Sequence, residues 1–449
     1  MGAAAELRIR HQGEPSLVPP AEETPNGLYY LSNLDQNIAV IVQTVYCFRA
    51  AADDAGVANV HSSACNVLRE SLAKVLVHYY PLAGRLTIGG DGKLVVDCTG
   101  EGAVFVEAEA DCAMADIGDV TEPGDPSVLG KLVYSVPGAK NILEMPLLAA
   151  QVTKFKCGGF VLGLAINHCM FDGVGAMQFV NSWGETARGL PLSLPPVLDR
   201  AVLRARDPPQ VAFPHHEFAQ ITGDKDDNDE DDDSSVTDEP PLLHRSFRFT
   251  PASIARIKAL AAAPEEGVRA CTTFEALAGF VWSARTRALG MAPARRSKLL
   301  FAVDGRPRFS SPPLPAGYFG NAIVLTSAAC AAGDLAASSS PARAVRLVRG
   351  AVEAVTDAYM RSAVDYFEAT RARPSLASTL LITAWSRLPF RAADFGWGPP
   401  AAYGPAALPE KEVALFLSCG EGGGVCVLLG LPANAMAEFA RLVQEVTAP

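Results

Sequence analysis

The residues best suited to chemistry lie near mid-chain, in Ile166-Asn167-His168-Cys169-Met170-Phe171-Asp172-Gly173. His168 follows an apolar run and precedes a helical pattern, so the sheet can hold its backbone while its ring faces a cleft. An imidazole with an ordinary pKa near 6.5 can accept a proton near neutral pH, which makes His168 a candidate general base. Asp172 comes four residues later, with Gly173 next. Its carboxylate either turns back to anchor the loop and fix the histidine, or caps the following helix. Cys169 adjoins the histidine and is the one thiol that could be a nucleophile. Neighbours on an extended chain point to opposite faces, so Cys169 faces away from any cleft that His168 faces.

A second constellation is Asp394-Phe395-Gly396-Trp397-Gly398-Pro399. Its glycines permit unusual dihedrals or close backbone approach, which suits a loop of fixed shape. If Asp394 is buried it needs a partner, and Arg306 in Val303-Asp304-Gly305-Arg306 is a candidate because an arginine fork matches a carboxylate.

The elements around these residues read as an α/β protein. Ile38 to Phe48 is apolar and β-branched, a buried strand. Ala64 to His78 carries Leu68, Leu72, Val75 and Leu76 at helical spacing, and Leu94 to Asp97 is a short strand. Leu147 to Phe155 and Phe160 to Ile166 read as a hairpin across Cys157-Gly158-Gly159. Val174 to Ala187 reads as a helix. In the second half, helices are expected over Thr250 to Ala261, Thr272 to Leu289 and Ala433 to Val446. A long helical stretch, with a possible break, is expected from Ala342 to Glu368, with Pro341 suited to its first turn. Strands are expected at Leu299 to Val303, Ala322 to Leu325, Val413 to Ser418 and Gly424 to Gly430.

Bulk properties narrow the class. With 449 residues the chain can bury two full cores, and 49% apolar against 19% charged residues describes an ordinary globular protein. No apolar run approaches the roughly 18 residues of a membrane helix, and the first ten residues lack the apolar core of a secretory signal, so a cytoplasmic location is expected. The ten cysteines are scattered, which argues for buried reduced thiols over a disulfide framework or a zinc site. Net charge is −11, but residues 224 to 239 supply −9 of it, leaving −2 elsewhere. That acidic run, flanked by prolines, is expected to be a solvated linker. It separates an N-terminal domain over 1–200 from a C-terminal domain over 246–449, with 201–245 as crossover. No basic stripe with interleaved aromatics suggests nucleic acid.

The two motifs together resemble those of the plant BAHD acyltransferases, HxxxD as His168 to Asp172 and DFGWG as Asp394 to Gly398. Tyr79 to Arg85 (YYPLAGR), Cys271 to Leu277 (CTTFEAL), Val303 to Arg306 (VDGR) and Gly317 to Asn321 (GYFGN) resemble the family too. The likeness covers nearly the whole chain except the acidic run. It implies two chloramphenicol-acetyltransferase-like domains, each a mixed sheet flanked by helices, joined by a long crossover loop, with the reaction in a channel between them. It implies an acyl-CoA donor as co-substrate, a small alcohol acceptor, no permanently bound cofactor and a monomer, while the lack of a metal-ligand cluster or nucleotide-binding glycine loop in the sequence predicts no metal. The catalytic set it implies is His168, Asp172 and Asp394. His168 deprotonates the acceptor and no acyl-enzyme forms. Asp172 orients, and Asp394 holds its loop through Arg306. Gly173, Arg306, Phe395, Gly396, Trp397 and Gly398 support the site. By position, Thr383 and Trp385 resemble residues that meet the substrates, with the Trp385 indole donating to the oxyanion.

Three stretches, Leu31 to Phe48, Lys154 to Asn181 and Ile382 to Gly398, look most like the branch that transfers hydroxycinnamoyl groups to ω-hydroxy fatty acids and fatty alcohols, the precursors of suberin, cutin and waxes. A shikimate or quinate acceptor is the alternative within the family, for which Arg371 and Arg373 lie in the right neighbourhood. Two readings of other classes are a non-catalytic acyl-CoA-binding protein on the same fold and a hydrolase using Cys169. The first is disfavoured because both motifs are intact.

Overall fold

The computed structural model describes residues 7–50, 57–121, 126–219, 241–264, 267–337, 340–374, 376, 378–407, 410, 412–420 and 422–448. The acidic run expected to be a linker, 224–239, lies outside them. The chain is mixed α/β and divides into two units. The first takes Met1–Pro209, Arg306–Ile323 and Arg387–Ala407. The second takes Gln210–Gly305, Val324–Ser386 and Leu408–Pro449.

The units therefore do not follow the expected sequential halves. Two segments of the C-terminal half, 306–323 and 387–407, belong to the first unit, and they carry Arg306 and the DFGWG loop. The cause is strand pairing and charge. Ala402–Pro405 adds an edge strand to Ile41–Phe48, and Arg306 pairs with Asp172. The expected crossover is also not slack throughout. Gln210 N–H donates to Asp365 at 2.7 Å and Ala212 N–H to Ser362 Oγ at 2.9 Å, which fixes this proline-flanked stretch to the helix Asp357–Thr370.

The sheet of the first unit runs in the order Ile9–His11, Ala103–Ala110, Leu148–Lys154, Phe160–Asn167, Ile41–Phe48 and Ala402–Pro405, with Ser16–Val18 also on Ala103–Ala110. All pairs are antiparallel except Ala103–Ala110 with Leu148–Lys154. Every residue of Phe160–Asn167 is buried, the mark of a strand covered on both faces and the reason it reads as an uninterrupted apolar run. The helices Val57–His78 and Gly173–Ala187 belong to the same unit. Trp183 Nε1 donates to Ser71 Oγ at 2.9 Å, and the Tyr79 and Ser182 hydroxyls meet at 2.8 Å, so the polar tips buried with these aromatics are satisfied. A separate three-stranded sheet joins Leu28–Tyr30, Leu94–Asp97 and Arg85–Ile88.

The second unit carries a six-stranded sheet, Leu242–Phe249, Val425–Pro432, Val413–Ser418, Thr379–Ala384, Arg296–Asp304 and Ile323–Ala331 in order. Thr250, Thr272 and Thr356 cap the starts of three of its helices. Thr272 accepts from Glu275 N–H while the Glu275 side chain returns to the Thr272 N–H, a full capping box ahead of Thr273–Ala288. The expected long helix is two. Ala342–Ala354 ends before Thr356, which is extended and caps Asp357–Thr370 by accepting from Tyr359 N–H.

One cysteine expectation fails. Cys419 and Cys426 form a disulfide, their Cα atoms 5.5 Å apart. Cys426 sits opposite Leu417 in the antiparallel hairpin, which makes Cys419 its diagonal neighbour on the same face, within reach despite the wide sequence spacing.

Candidate active site

His168 is the first residue beyond the Phe160–Asn167 strand, and its N–H donates to Val40 O at 2.9 Å, extending the pairing with the neighbouring strand by one residue. The residue as a whole is half-buried, and its Nδ1 is buried. Burial holds the imidazole pKa below its ordinary 6.5, while its own backbone, the Asp172 charge, the Asn321 amide and the Asp35 charge partly offset that. A histidine poised neutral in this way can accept a proton at neutral pH without first losing one.

Asp172 caps the following helix and is also tied across to Arg306, with no hydrogen bond to the histidine. Asp172 is 1% exposed. Its Oδ1 accepts from Val174 and Gly175 N–H, both at 3.1 Å, capping the helix Gly173–Ala187. The same carboxylate accepts Arg306 Nη1 at 2.8 Å and Nη2 at 3.0 Å, together with Ala322 N–H at 2.9 Å. Arg306 Nη2 also donates to Gly320 O at 3.0 Å. Asp172 thus locks the end of the histidine loop, and it acts on the imidazole only by its charge. Gly173 lies against Leu388, whose Cδ1 would be 2.7 Å from a Cβ at that position.

Asp394 is not the partner of Arg306. Its Oδ1 closes the loop by accepting Gly396 N–H at 2.8 Å and Gly398 N–H at 2.9 Å, and its Oδ2 meets Arg188 Nη1 at 3.4 Å. Arg306 is already committed to the more deeply buried Asp172, and the DFGWG loop reaches the other end of the same helix, where Arg188 is the C-cap. Gly396 at φ 108° and Gly398 at φ 77° take backbone that other residues adopt at a cost. Phe395 packs edge-on against Trp183 at 5.3 Å and Phe48 at 5.7 Å, and Trp397 against Phe160 at 5.2 Å. The loop therefore braces the strand that ends in His168. The contacts of Asp394 are with its own loop and with Arg188.

This packing makes one prediction. A Cβ at Gly184 would lie 2.4 Å from the Asp394 backbone oxygen, which cannot swing away as a side chain could. Gly184→Ala should destabilise by about 1–3 kcal/mol. Gly350→Ala, in the helix Ala342–Ala354 with open space around it, should instead stabilise by about 0.5–1 kcal/mol. Urea midpoints read both, and equal shifts would contradict the account.

Thr383 and Trp385 lie in the second unit, Thr383 in the strand Thr379–Ala384 opposite Leu415 and Trp385 just beyond it, donating its N–H to Phe416 O at 2.8 Å and packing against the apolar cluster that includes Leu415, Leu417 and Leu428. Cys169 is fully buried and its thiol is pushed up by burial, the opposite of what a nucleophile needs. Among the described residues no group of three or more histidine, cysteine or acidic side chains could hold a metal, and no helix is long and apolar enough to cross a membrane.

Sequence reasoning missed three residues that hold the loop from beneath: Asp35, Arg200 and Asn321. Asn321 Nδ2 donates to His168 O at 2.8 Å and Arg200 Nη2 to Met170 O at 2.7 Å. One available signal was Ser32-Asn33-Leu34-Asp35, a capping box in which the aspartate returns to the Ser32 N–H.

The Transferase family model matches residues 12–445. The chain belongs to the BAHD acyltransferase family. It is 59% identical over 432 residues to omega-hydroxypalmitate O-feruloyl transferase of Arabidopsis thaliana, covering 96% of this chain and 91% of that one. It is 54% identical to the fatty alcohol:caffeoyl-CoA acyltransferase of the same plant, over 98% and 99% of the two chains. Shikimate O-hydroxycinnamoyltransferase of Nicotiana tabacum shares 36% over 96% of this chain and 98% of its own. The chain shares its fold with two solved structures. Vinorine synthase aligns with a TM-score of 0.72 at 24% identity over 96% of each chain, and F. sporotrichioides TRI101, solved with coenzyme A and T-2, with 0.72 at 16% over 92% of this chain and 97% of that one.

Proposed function

We propose that this BAHD enzyme transfers a hydroxycinnamoyl group, feruloyl or caffeoyl, from coenzyme A to the terminal hydroxyl of an ω-hydroxy fatty acid or fatty alcohol. The observation that carries the substrate class is the step in identity. Two relatives named for aliphatic acceptors stand at 59% and 54%, and one named for shikimate at 36%. The chemistry is supported by an imidazole at a strand end that burial keeps on the neutral side, its loop fixed by Asp172 and Arg306.

In this reading His168 removes the acceptor hydroxyl proton as the oxygen attacks the thioester carbonyl. The tetrahedral oxyanion collapses, the carbon–sulfur bond breaks, and the proton on His168 passes to the departing thiolate. No bond forms between the acyl group and the protein. Thr383 and Trp385 are assigned to substrate binding by their position, which resembles that of channel-lining residues in the family. The reading includes a cytosolic monomer with no permanent cofactor.

The test is coenzyme A release from feruloyl- and caffeoyl-CoA with 16-hydroxypalmitate, 1-hexadecanol, shikimate and quinate. Turnover is expected with the two aliphatic acceptors. Turnover with shikimate or quinate alone would move the enzyme to another branch of the family.

A further inference from the structure

We propose that Asp35 is a positioning residue for His168, acting through the Asn321 amide and the Arg200 guanidinium. Asp35 is wholly buried in the short helix Asn33–Gln36, and a charge there persists only if it is fully bonded. Its Oδ2 accepts Ser32 N–H and the Ser32 hydroxyl, both at 2.8 Å. Its Oδ1 accepts Asn321 N–H at 2.9 Å and Asn321 Nδ2 at 2.8 Å, and Arg200 Nη1 lies 3.7 Å away. Each of these two partners passes the hold to the histidine loop. Asn321 Nδ2 grips the carbonyl of His168, and Arg200 Nη2 grips the carbonyl of Met170 two residues on.

Arg200 is itself pinned. Its guanidinium lies 5.6 to 5.8 Å from the Tyr29, Tyr318 and Phe319 ring centres, and Nε donates to the Tyr29 hydroxyl at 2.6 Å. A Cβ at position 320 would fall 1.4 Å from Arg200 Nη1, so the glycine of Tyr318-Phe319-Gly320-Asn321 makes room for this cation. With Arg306 on Asp172, the His168–Asp172 segment is held at its first, third and fifth residues.

The amide also has a fixed sense. Both partners of Asn321 Nδ2, a carboxylate and a carbonyl, are acceptors, so the amide cannot be turned over without losing both bonds. That leaves Asn321 Oδ1 as a buried acceptor with no partner, and His168 Nδ1 as a buried nitrogen with no partner. The Asn321 side chain raises the basicity of the imidazole, as an acceptor facing a ring N–H does. The ring's own backbone also raises its basicity, and Asp35, by fixing the sense of the Asn321 amide, adds to the same preference. The tautomer so favoured carries its proton on Nδ1 and leaves the Nε2 lone pair free to act as base.

The kinetic part of this inference rests on the proposed acyl transfer, and the tautomer does not, so the experiment reads both. Long-range ¹⁵N–¹H spectra of the full chain labelled at histidine identify the His168 signal by its loss in His168→Ala. The wild type should show the Nδ1-protonated form, and an Nε2-protonated form overturns the proposal. Asp35→Asn should stay folded, lower the titration midpoint of His168 and shift the acid limb of kcat to lower pH with it. It should reduce kcat by about 10–100-fold with KM for feruloyl-CoA within about threefold. An unchanged midpoint and kcat in folded Asp35→Asn overturns the proposal, as does a loss confined to KM. If Asp35→Asn does not fold, the wild-type tautomer decides alone. Absence of turnover in the wild type would refute the acyl-transfer reading and leave the tautomer test standing.

Discussion

His168→Ala lowers kcat for coenzyme A release by about 10²–10⁴-fold, the usual worth of a general base, with binding of the acyl-CoA little changed. The loss falls on kcat because the imidazole does its work as the acceptor loses its proton, not as the donor binds. In the unsubstituted enzyme the same group sets a pH dependence of definite sign. Burial favours the neutral ring, so its pKa lies below 6.5. The base is competent when neutral, so activity persists from neutral pH down to that lowered pKa and falls as pH drops through it. An acid limb centred above 6.5, or a His168→Ala enzyme with near-normal kcat, would remove His168 from the chemistry.

Arg306→Met destabilises the chain by about 3–5 kcal/mol, because it strips the cation from a carboxylate that water barely reaches. Asp172 is 1% exposed at its side chain and Arg306 18%, so the aspartate bears most of the cost when the pair is broken. Backbone donors from Val174, Gly175 and Ala322 remain, but they supply dipoles where a full charge was. Adding Asp172→Asn to Arg306→Met removes the stranded charge, and the double variant should lose less than the sum of the two single losses. Denaturant midpoints measure this, and strict additivity would show that the two side chains do not depend on each other. Arg188→Met is the comparison. The Arg188 and Asp394 side chains are 34% and 28% exposed, so this pair contributes at most about 1 kcal/mol.

The contrast between these pairs shows what the sequence could tell. The histidine strand and its helix were legible because their signals are local: an unbroken apolar run over Phe160 to Ile166, and an aspartate placed to cap a helix that begins at the next residue. Which arginine meets which aspartate was not legible. Arg306 is 134 residues from Asp172 and Arg188 is 206 from Asp394, and nothing local distinguishes one arginine fork from another. The return of 387–407 to the first unit was hidden for a similar reason. It depends on the four-residue edge strand Ala402–Pro405, too short and too rich in glycine and proline to show a strand period. Asp35 and Arg200 were hidden because a lone acid or arginine in a mixed stretch usually reads as surface, and only tertiary contacts reveal it as buried.

The most direct test of the account mixes the purified chain with feruloyl-CoA and follows free coenzyme A and the intact protein mass, with and without 16-hydroxypalmitate. The account predicts that coenzyme A appears only with the acceptor present, in step with ester, and that the protein mass never rises. A stoichiometric burst of coenzyme A without acceptor, with an acyl group retained on the chain, would contradict it.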